Sequence, residues 1–312
     1  MGIESLYSVY YKLWEYVLKE RLNKTYYNSV YIEVKFINIL YWMHQPLVSV
    51  IMPVYNTKQW VWEAIESILN QGFKDFEFII VDDHSTDGSY EICEEYAKKD
   101  KRIKLYRNDK NEWLCYTRNR LISLTSTDYI ASQDSDDVSK KNRLELEYNF
   151  LSKNSEYSVI GWDCEIIDEK WEKIWLRRYS DDIPSTILKK SPIANPTSMF
   201  RKSHLYEVWW YTDNKKLDGT EDYDLWLNLY LHWYWIKNLQ KFVLEYRIRK
   251  WQTKSNIKKI LKSTIYIQKK YMKLGVKSSI SDNVYILCEH VLLLLPDKFI
   301  NFLFKKITYK RI

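Results

Sequence analysis

Three short stretches of the sequence concentrate carboxylates at a spacing that suits chemistry. They are VDDHSTDG with Asp82, Asp83 and Asp87, QDSDD with Asp134, Asp136 and Asp137, and TEDYD with Glu221, Asp222 and Asp224. Carboxylates this close repel one another unless a cation or a hydrogen-bond donor holds them. Alternate Asp residues supply the hard oxygen ligands that Mg²⁺ or Mn²⁺ binds together with phosphates. The third stretch also fits a simple helix start, where the helix dipole favours carboxylates.

The elements before these stretches predict where the carboxylates lie. LVSVIMPVY, FEFIIVDD, RIKLYRN and DYIASQDSDD read as buried strands, and helical patterns separate them. This alternation predicts an α/β fold with a parallel sheet covered on both faces, and such sheets bind ligands at the carboxyl ends of their strands. The first two acidic stretches lie at such ends. After residue 155, YSVIGWDCEIIDE and KIWLRRY predict an antiparallel addition, and residues from about 253 onward predict helices.

Several spaced motifs together resemble the family 2 glycosyltransferases of the GT-A fold. They are VSVIMPVYN, ESILNQGFKDFEFIIVDDHSTDGS, TRNRLISLTSTDYIASQDSDD, TEDYDLWLNLYL and FVLEYRIR, and they cover about residues 46–250. The resemblance implies a Rossmann-like, mostly parallel central sheet with helices on both faces, followed by a helical tail over 251–312. It implies an inverting hexosyl- or N-acetylhexosaminyltransferase of cell-surface polysaccharide synthesis. The donor would be a nucleotide-diphosphate sugar, UDP-linked by expectation, and the acceptor a glycan or lipid-linked hydroxyl.

The same resemblance assigns the donor site. It places Pro53, Tyr55 and Asp83 on the nucleotide, where an aromatic face can stack on uracil and a carboxylate can accept its ring N–H. Arg118 and Asp134 would contact the donor ribose or phosphates.

A divalent ion and a catalytic base complete the site that the resemblance implies. Asp134 and Asp136, with Asp137 adjacent, would hold Mn²⁺ or Mg²⁺, and Asp222 would take the proton of the acceptor hydroxyl. One departure concerns the metal: Arg249 stands where many relatives carry a His. Because Arg cannot ligate a metal but can pair with a diphosphate, the departure leaves the metal geometry open.

Two other functions stay open from the sequence. One is a non-catalytic nucleotide-sugar-binding protein, which the three intact acidic stretches argue against. The other is sugar transfer to a polyprenyl phosphate. The basic C-terminal tail keeps that alternative open, although the sequence contains no paired transmembrane helices to support it.

The charge of the chain is unevenly distributed. Residues 241–312 hold 17 Lys or Arg against 4 Asp or Glu, a balance of +13 within a net +7. A basic tail predicts either a solvated helical surface or a peripheral contact with an anionic membrane. No nucleic-acid recognition motif accompanies it. Four dispersed cysteines predict reduced thiols and a cytoplasmic protein, with contact at the inner face of the membrane as the further expectation. Residues 1–45 read as an N-terminal extension, in which residues 1–42 are either a native N-terminal helix or upstream of a start at Met43.

Tryptophan and glycine occur in unusual numbers. The 312 residues include 14 Trp and 6 Gly, about 2% glycine against a typical ~7%. Six of the tryptophans stand where glycine is expected: Trp113, Trp171, Trp209, Trp210, Trp233 and Trp251. One hypothesis is that these positions come from UGA codons that the source organism reads as glycine. The alternative is that they are genuine tryptophans, used in the core or to stack on sugars.

Overall fold

The structure is a computed structural model, and it describes residues 45–214, 217, 219–249, 257–308 and 310–311. The predicted N-terminal extension, apart from Gln45, and Trp251 lie outside these residues. The described residues from Pro46 onward belong to one compact unit.

The first half of the sheet is parallel, as the alternation of strands and helices predicts. Strand β1 (Val48–Val54) lies between β2 (Phe76–Asp82) and β4 (Tyr129–Ser132), and β3 (Ile103–Arg107) flanks β2. The carboxyl ends of β1, β2 and β4 therefore meet at one edge of the sheet.

The second half of the sheet is mixed. Its strands are β5 (Val138–Ser139), β6 (Tyr157–Ile167), β7 (Lys173–Arg177), β8 (Met199–Arg201), β9 (Trp235–Arg247) and β10 (Lys310–Arg311). β8 runs antiparallel to β4 and to β6, and β7 runs antiparallel to β6. β9 pairs in parallel with β6 and antiparallel with β5. The antiparallel addition is confirmed, and the sheet as a whole is less parallel than the sequence suggests.

Helices cover both faces of the sheet. The described helices are α1 (Val61–Leu69), α2 (Ser89–Lys99), α3 (Trp113–Leu124), α4 (Arg143–Leu151), α5 (Ile183–Thr186), α6 (Lys202–Glu207), α7 (Glu221–Leu231), α8 (Ile257–Leu274), α9 (Ile280–Leu292) and α10 (Asp297–Thr308). Alternate residues of a strand point to opposite faces. Val50 and Met52 accordingly join the core beneath α1, while Ile51 joins the core beneath α3 and α7.

The first helix after residue 250 packs on the domain. α8 buries Ile265, Ile267 and Tyr271, and Lys270 reaches the Asp224 carboxylate of α7 at 2.7 Å. None of the described helices is long and apolar enough to cross a membrane.

Candidate functional site

The predicted nucleotide residues meet at the ends of β1 and β2. Tyr55 follows β1 with 48% of its surface exposed, and Pro53 pairs with Val81 of β2. Asp83 follows β2, is buried, and donates its backbone N–H to Val54 O at 2.8 Å. An exposed ring thus stands one residue beyond the strand to which Asp83 is bound.

Asp83 is held by two donors from the loop after β3. Its Oδ1 accepts hydrogen bonds from Asn108 Nδ2 at 2.6 Å and from the Glu112 backbone N–H at 2.9 Å. Both hydrogen bonds from these described residues are accepted by the same carboxylate oxygen, Oδ1. The orientation is therefore fixed without using Oδ2, the oxygen that a nucleobase N–H would need.

The other two carboxylates of the first stretch stabilise the loop. Asp82 is fully buried, accepts the Ser85 N–H at 3.0 Å and pairs with Arg107 Nε at 3.1 Å. Asp87 accepts N–H bonds from Ser89 and Lys58. These contacts offset part of the mutual repulsion expected from the sequence, and they leave Asp83 as the carboxylate that we assign to the ligand.

Arg118 joins the second and third acidic stretches. It lies on α3, is buried, and donates to Glu221 Oε1 at 2.5 Å and to Asp134 Oδ1 at 3.5 Å. Arg118 thereby ties the loop after β4 to the first turn of α7. The sequence predicts Arg118 at the donor but does not predict Glu221 as its partner, since 103 residues separate the two.

Asp222, unlike Glu221 and Asp224, forms no ion pair with any residue that the structure describes. Glu221 is paired with Arg118, while Asp224 accepts from Thr212 Oγ1 and Lys270 Nζ, both at 2.7 Å. Asp222 lines a cleft of about 550 Å³ together with Arg118 and Asp134. Burial, and then the Glu221 carboxylate, raise the pKa of Asp222 to about 6. A carboxylate in this state accepts a proton more readily than an ordinary Asp.

The carboxylates predicted to hold a metal do not come together as a set of ligands. Asp136 pairs with Arg249, and Asp137 Oδ1 accepts the Arg247 backbone N–H at 2.8 Å. Asp137 Oδ2 is buried without a hydrogen bond from any described residue, and burial raises the pKa of Asp137 well above its ordinary value. Within the described residues, no three His, Cys, Asp or Glu side chains form a metal-binding group. The contacts of these three carboxylates do not fit the expected site for Mn²⁺ or Mg²⁺. The use of a divalent ion by this chain stays a prediction.

A buried ion pair that sequence reasoning missed supports the loop carrying Asp134–Asp137. Arg143 begins α4 and donates to Glu147 Oε1 at 2.8 Å, and both side chains are fully buried. The same guanidinium reaches Ser132 O at 2.6 Å and Ser139 Oγ at 3.0 Å, one on each side of the loop. An Arg in an acidic, Leu-containing helix gives no local sign of this role.

The mixed α/β sheet, with the predicted nucleotide residues at the carboxyl ends of its parallel strands and an acidic cleft formed in part by Asp134 and Asp222, is the arrangement of a GT-A glycosyltransferase fold. The chain belongs to glycosyl transferase family 2, whose family model matches residues 49–210. The predicted family is thus confirmed.

Relatives and solved structures agree with this assignment. An uncharacterized glycosyltransferase of Methanocaldococcus jannaschii is 32% identical over 250 residues, which are 78% of this chain and 84% of the relative. The O-antigen biosynthesis glycosyltransferase WbnJ of Escherichia coli is 29% identical over 253 residues, 78% of this chain and 96% of the relative.

Two solved structures share the fold at low identity. TarS of S. aureus in complex with UDP-GlcNAc has a TM-score of 0.59 at 21% identity, over 78% of this chain and 71% of that one. The mannosyltransferase PcManGT of Pyrobaculum calidifontis, in complex with GDP-Man and Mn²⁺, has a TM-score of 0.60 at 15% identity, over 82% and 72%.

Proposed function

We propose that this glycosyltransferase moves a sugar from a UDP-sugar to a hydroxyl of a glycan or lipid-linked saccharide, with inversion at the anomeric carbon. The observation that carries the proposal is the position of Asp222. It lines the same cleft as Asp134 and Arg118 and has a pKa of about 6, while its two acidic neighbours are engaged with cations.

The chain's own residues supply the steps of such a reaction. Tyr55 would stack on the nucleobase and Asp83 would accept its ring N–H, which fixes the donor at the sheet edge. Arg118 would hold the loop with Asp134 against the donor. Asp222 would take the proton from the acceptor oxygen as that oxygen attacks the anomeric carbon, and the nucleoside diphosphate would leave on the opposite side.

The comparisons support the donor and the setting. TarS was solved with UDP-GlcNAc, and WbnJ is described as an O-antigen biosynthesis enzyme. We therefore place the reaction in the assembly of a cell-surface polysaccharide and expect a hexosyl or N-acetylhexosaminyl donor.

A donor panel tests the proposal. The full chain is incubated with UDP-glucose, UDP-galactose and UDP-GlcNAc, with GDP-mannose as the control, and the released nucleoside diphosphate is measured. We expect release from at least one UDP-sugar, and release from GDP-mannose close to the enzyme-free rate. Nucleotide release from GDP-mannose alone would contradict the UDP assignment, and release from none of the four would contradict the proposed activity.

A further inference from the structure

We infer that Arg249 supplies, at the donor diphosphate, the positive charge that a divalent metal would otherwise supply. The inference rests on the proposed function, because it concerns the same donor. It goes further in assigning a diphosphate-binding role to a side chain and in making donor binding independent of a metal.

Arg249 is held at the site by two other segments. Its Nε donates to Asp136 Oδ2 at 2.5 Å and its Nη2 pairs with the same carboxylate. The guanidinium carbon lies 4.8 Å from the ring centroid of Trp60, just before α1. Only 8% of Arg249 is exposed. The end of β9, the loop after β4 and the loop after β1 therefore fix one guanidinium beside the predicted metal ligand.

This pairing competes with a metal in two ways. A guanidinium has no lone pair to offer, so Arg249 cannot act as a ligand. A divalent ion at Asp136 would also have to break a buried ion pair and then lie beside a positive charge. Asp137 Oδ1 accepts the Arg247 backbone N–H. Asp134 Oδ1 lies 3.5 Å from Arg118 Nη2, so each carboxylate of this stretch already contacts a donor that a divalent ion would have to displace or share.

A guanidinium suits the alternative task. Its planar N–H donors match phosphate oxygens and it stays charged at every working pH. Arg118 places a second guanidinium 3.5 Å from Asp134 Oδ1. Two arginines thus contact the loop that carries Asp134 and Asp136, where they can stabilise a diphosphate as it binds and as it leaves.

Calorimetry with UDP tests the inference on the full chain. In EDTA we expect UDP to bind with an affinity within about threefold of that in Mn²⁺. A loss of tenfold or more in EDTA would overturn the inference while leaving the proposed function intact. Absence of UDP binding under both conditions would instead overturn the proposed function together with the inference.

Two variants sharpen the test. We expect Arg249→Ala to lose at least tenfold in UDP affinity in EDTA. Arg249→His should recover affinity with Mn²⁺ and not with EDTA, because an imidazole is a metal ligand. Melting temperatures identify a variant that fails to fold. In that case the UDP affinities of the wild-type chain in EDTA and in Mn²⁺ decide whether the inference holds. Equal UDP affinity of wild type and Arg249→Ala in EDTA would overturn the role of Arg249.

A second inference rests on backbone geometry. All five described tryptophans that stand where glycine is expected have a positive φ: 72° at Trp113, 68° at Trp171, 61° at both Trp209 and Trp210, and 65° at Trp233. Such angles favour glycine and strain bulky side chains. The other non-glycine residues with positive φ in the described chain are Asn56 and His84, two types that tolerate it.

Three helix ends allow glycine and tryptophan to be compared at the same position of one C-terminal motif. After α8, Gly275 N–H bonds to Met272 O and Val276 N–H bonds to Tyr271 O, the pair of bonds that defines a Schellman motif with glycine at its left-handed position. After α7 the same two bonds run from Trp233 to Tyr230 O and from Tyr234 to Leu229 O.

The end of α6 repeats the motif with a second tryptophan. Trp209 N–H bonds to Tyr206 O and Trp210 N–H bonds to Leu205 O. The side chains of Trp233 and Trp209 add little in return, since they are 84% and 90% exposed, whereas Trp210 packs against the core and the Tyr206 ring. Trp171 differs, because its indole N–H reaches Glu63 at 3.1 Å.

We infer that the functional protein carries glycine at positions 113, 171, 209, 210 and 233. The first test is the gene. We expect UGA codons at these five positions and UGG at Trp162 and Trp226, which lie in β6 and α7 and are buried. UGG at the five positions would overturn the inference.

Stability gives an independent readout. We expect the full chain with glycine at all five positions to melt about 5 °C or more above the chain with tryptophan at these positions, because backbone strain at several sites is removed. The control change, Trp226→Gly, should lower the melting temperature, since it empties a fully buried site. A lower melting temperature for the five-glycine chain than for the five-tryptophan chain would overturn the inference.

Discussion

At the scale of single residues, the site depends on which carboxylates are left unpaired. The first and third acidic stretches each contain members tied to cations or backbone N–H groups and one member that we assign to the substrates: Asp83 in the first and Asp222 in the third. The tied members give the free ones a fixed position. Substitutions at the two kinds of carboxylate should therefore have different effects.

We predict that Asp83→Asn weakens UDP binding by about 10- to 100-fold, the typical value of one hydrogen bond to a charged group. The Asn oxygen can still accept the hydrogen bonds from Asn108 and Glu112. The NH2 group would then face the nucleobase N–H, and two donors cannot form a hydrogen bond. Calorimetry with UDP measures the effect, and Asp109→Asn on the exposed part of the same edge serves as the control. An unchanged UDP affinity for Asp83→Asn would remove Asp83 from the nucleotide site.

The raised pKa of Asp222 predicts a pH dependence. A general base works when it is ionised, so the rate should be constant above about pH 7 and fall about tenfold per unit well below pH 6. Initial rates of UDP release at saturating donor, from pH 4.5 to pH 8, measure this. A rate that stays constant down to pH 5 would contradict the assignment of Asp222 as the base.

At the scale of elements, a buried ion pair positions the donor loop. Arg143 of α4 reaches both sides of that loop. We predict that Arg143→Ala lowers the free energy of unfolding by ~3–5 kcal/mol, because Glu147 is then buried without its partner. Urea denaturation measures this loss. Lys98→Ala, which breaks the exposed pair with Glu94 on α2, should leave the midpoint almost unchanged, and an equal shift for both variants would contradict the role of Arg143.

The elements themselves could be predicted from the sequence to a large extent. Val61, Ala64, Ile65 and Ile68 recur at helical spacing and are buried in α1, and the four strands predicted before residue 140 are all present. The partners of the carboxylates could not be predicted. Asp136 and Arg249 are 113 residues apart, and only the pairing of strands from both halves of the sheet brings them together. Local patterns report local structure and carry no such information.

At the scale of the whole molecule, the basic C-terminal region presents an apolar surface. Ile280, Leu287 and Leu294 recur at helical spacing along and just beyond α9 and are 85%, 63% and 83% exposed. The helix α9 itself contains no Lys or Arg, but the flanking helices α8 and α10 are rich in Lys. Apolar side chains between two basic helices favour the surface of an anionic membrane. The described helices do not span a bilayer, so such contact would be peripheral.

We predict that the full chain sediments with vesicles containing phosphatidylglycerol and does so less as salt rises. Changing Ile280, Leu287 and Leu294 to Ser should remove most of this binding, and neutral phosphatidylcholine vesicles are the control. Equal sedimentation of the wild-type and triple-Ser chains with the anionic vesicles would show that this surface does not contact lipid.

The substitution Asp222→Asn tests the central claim of a glycosyltransferase with Asp222 as its base most directly. Asn keeps the shape of the side chain but cannot take a proton, and loss of a general base typically costs ~10²–10⁴-fold in rate. With the donor that the panel identifies, we expect UDP release to fall by that order while donor affinity stays within about threefold. Near-full release by Asp222→Asn at saturating donor would contradict the account and move the base to another carboxylate of the cleft.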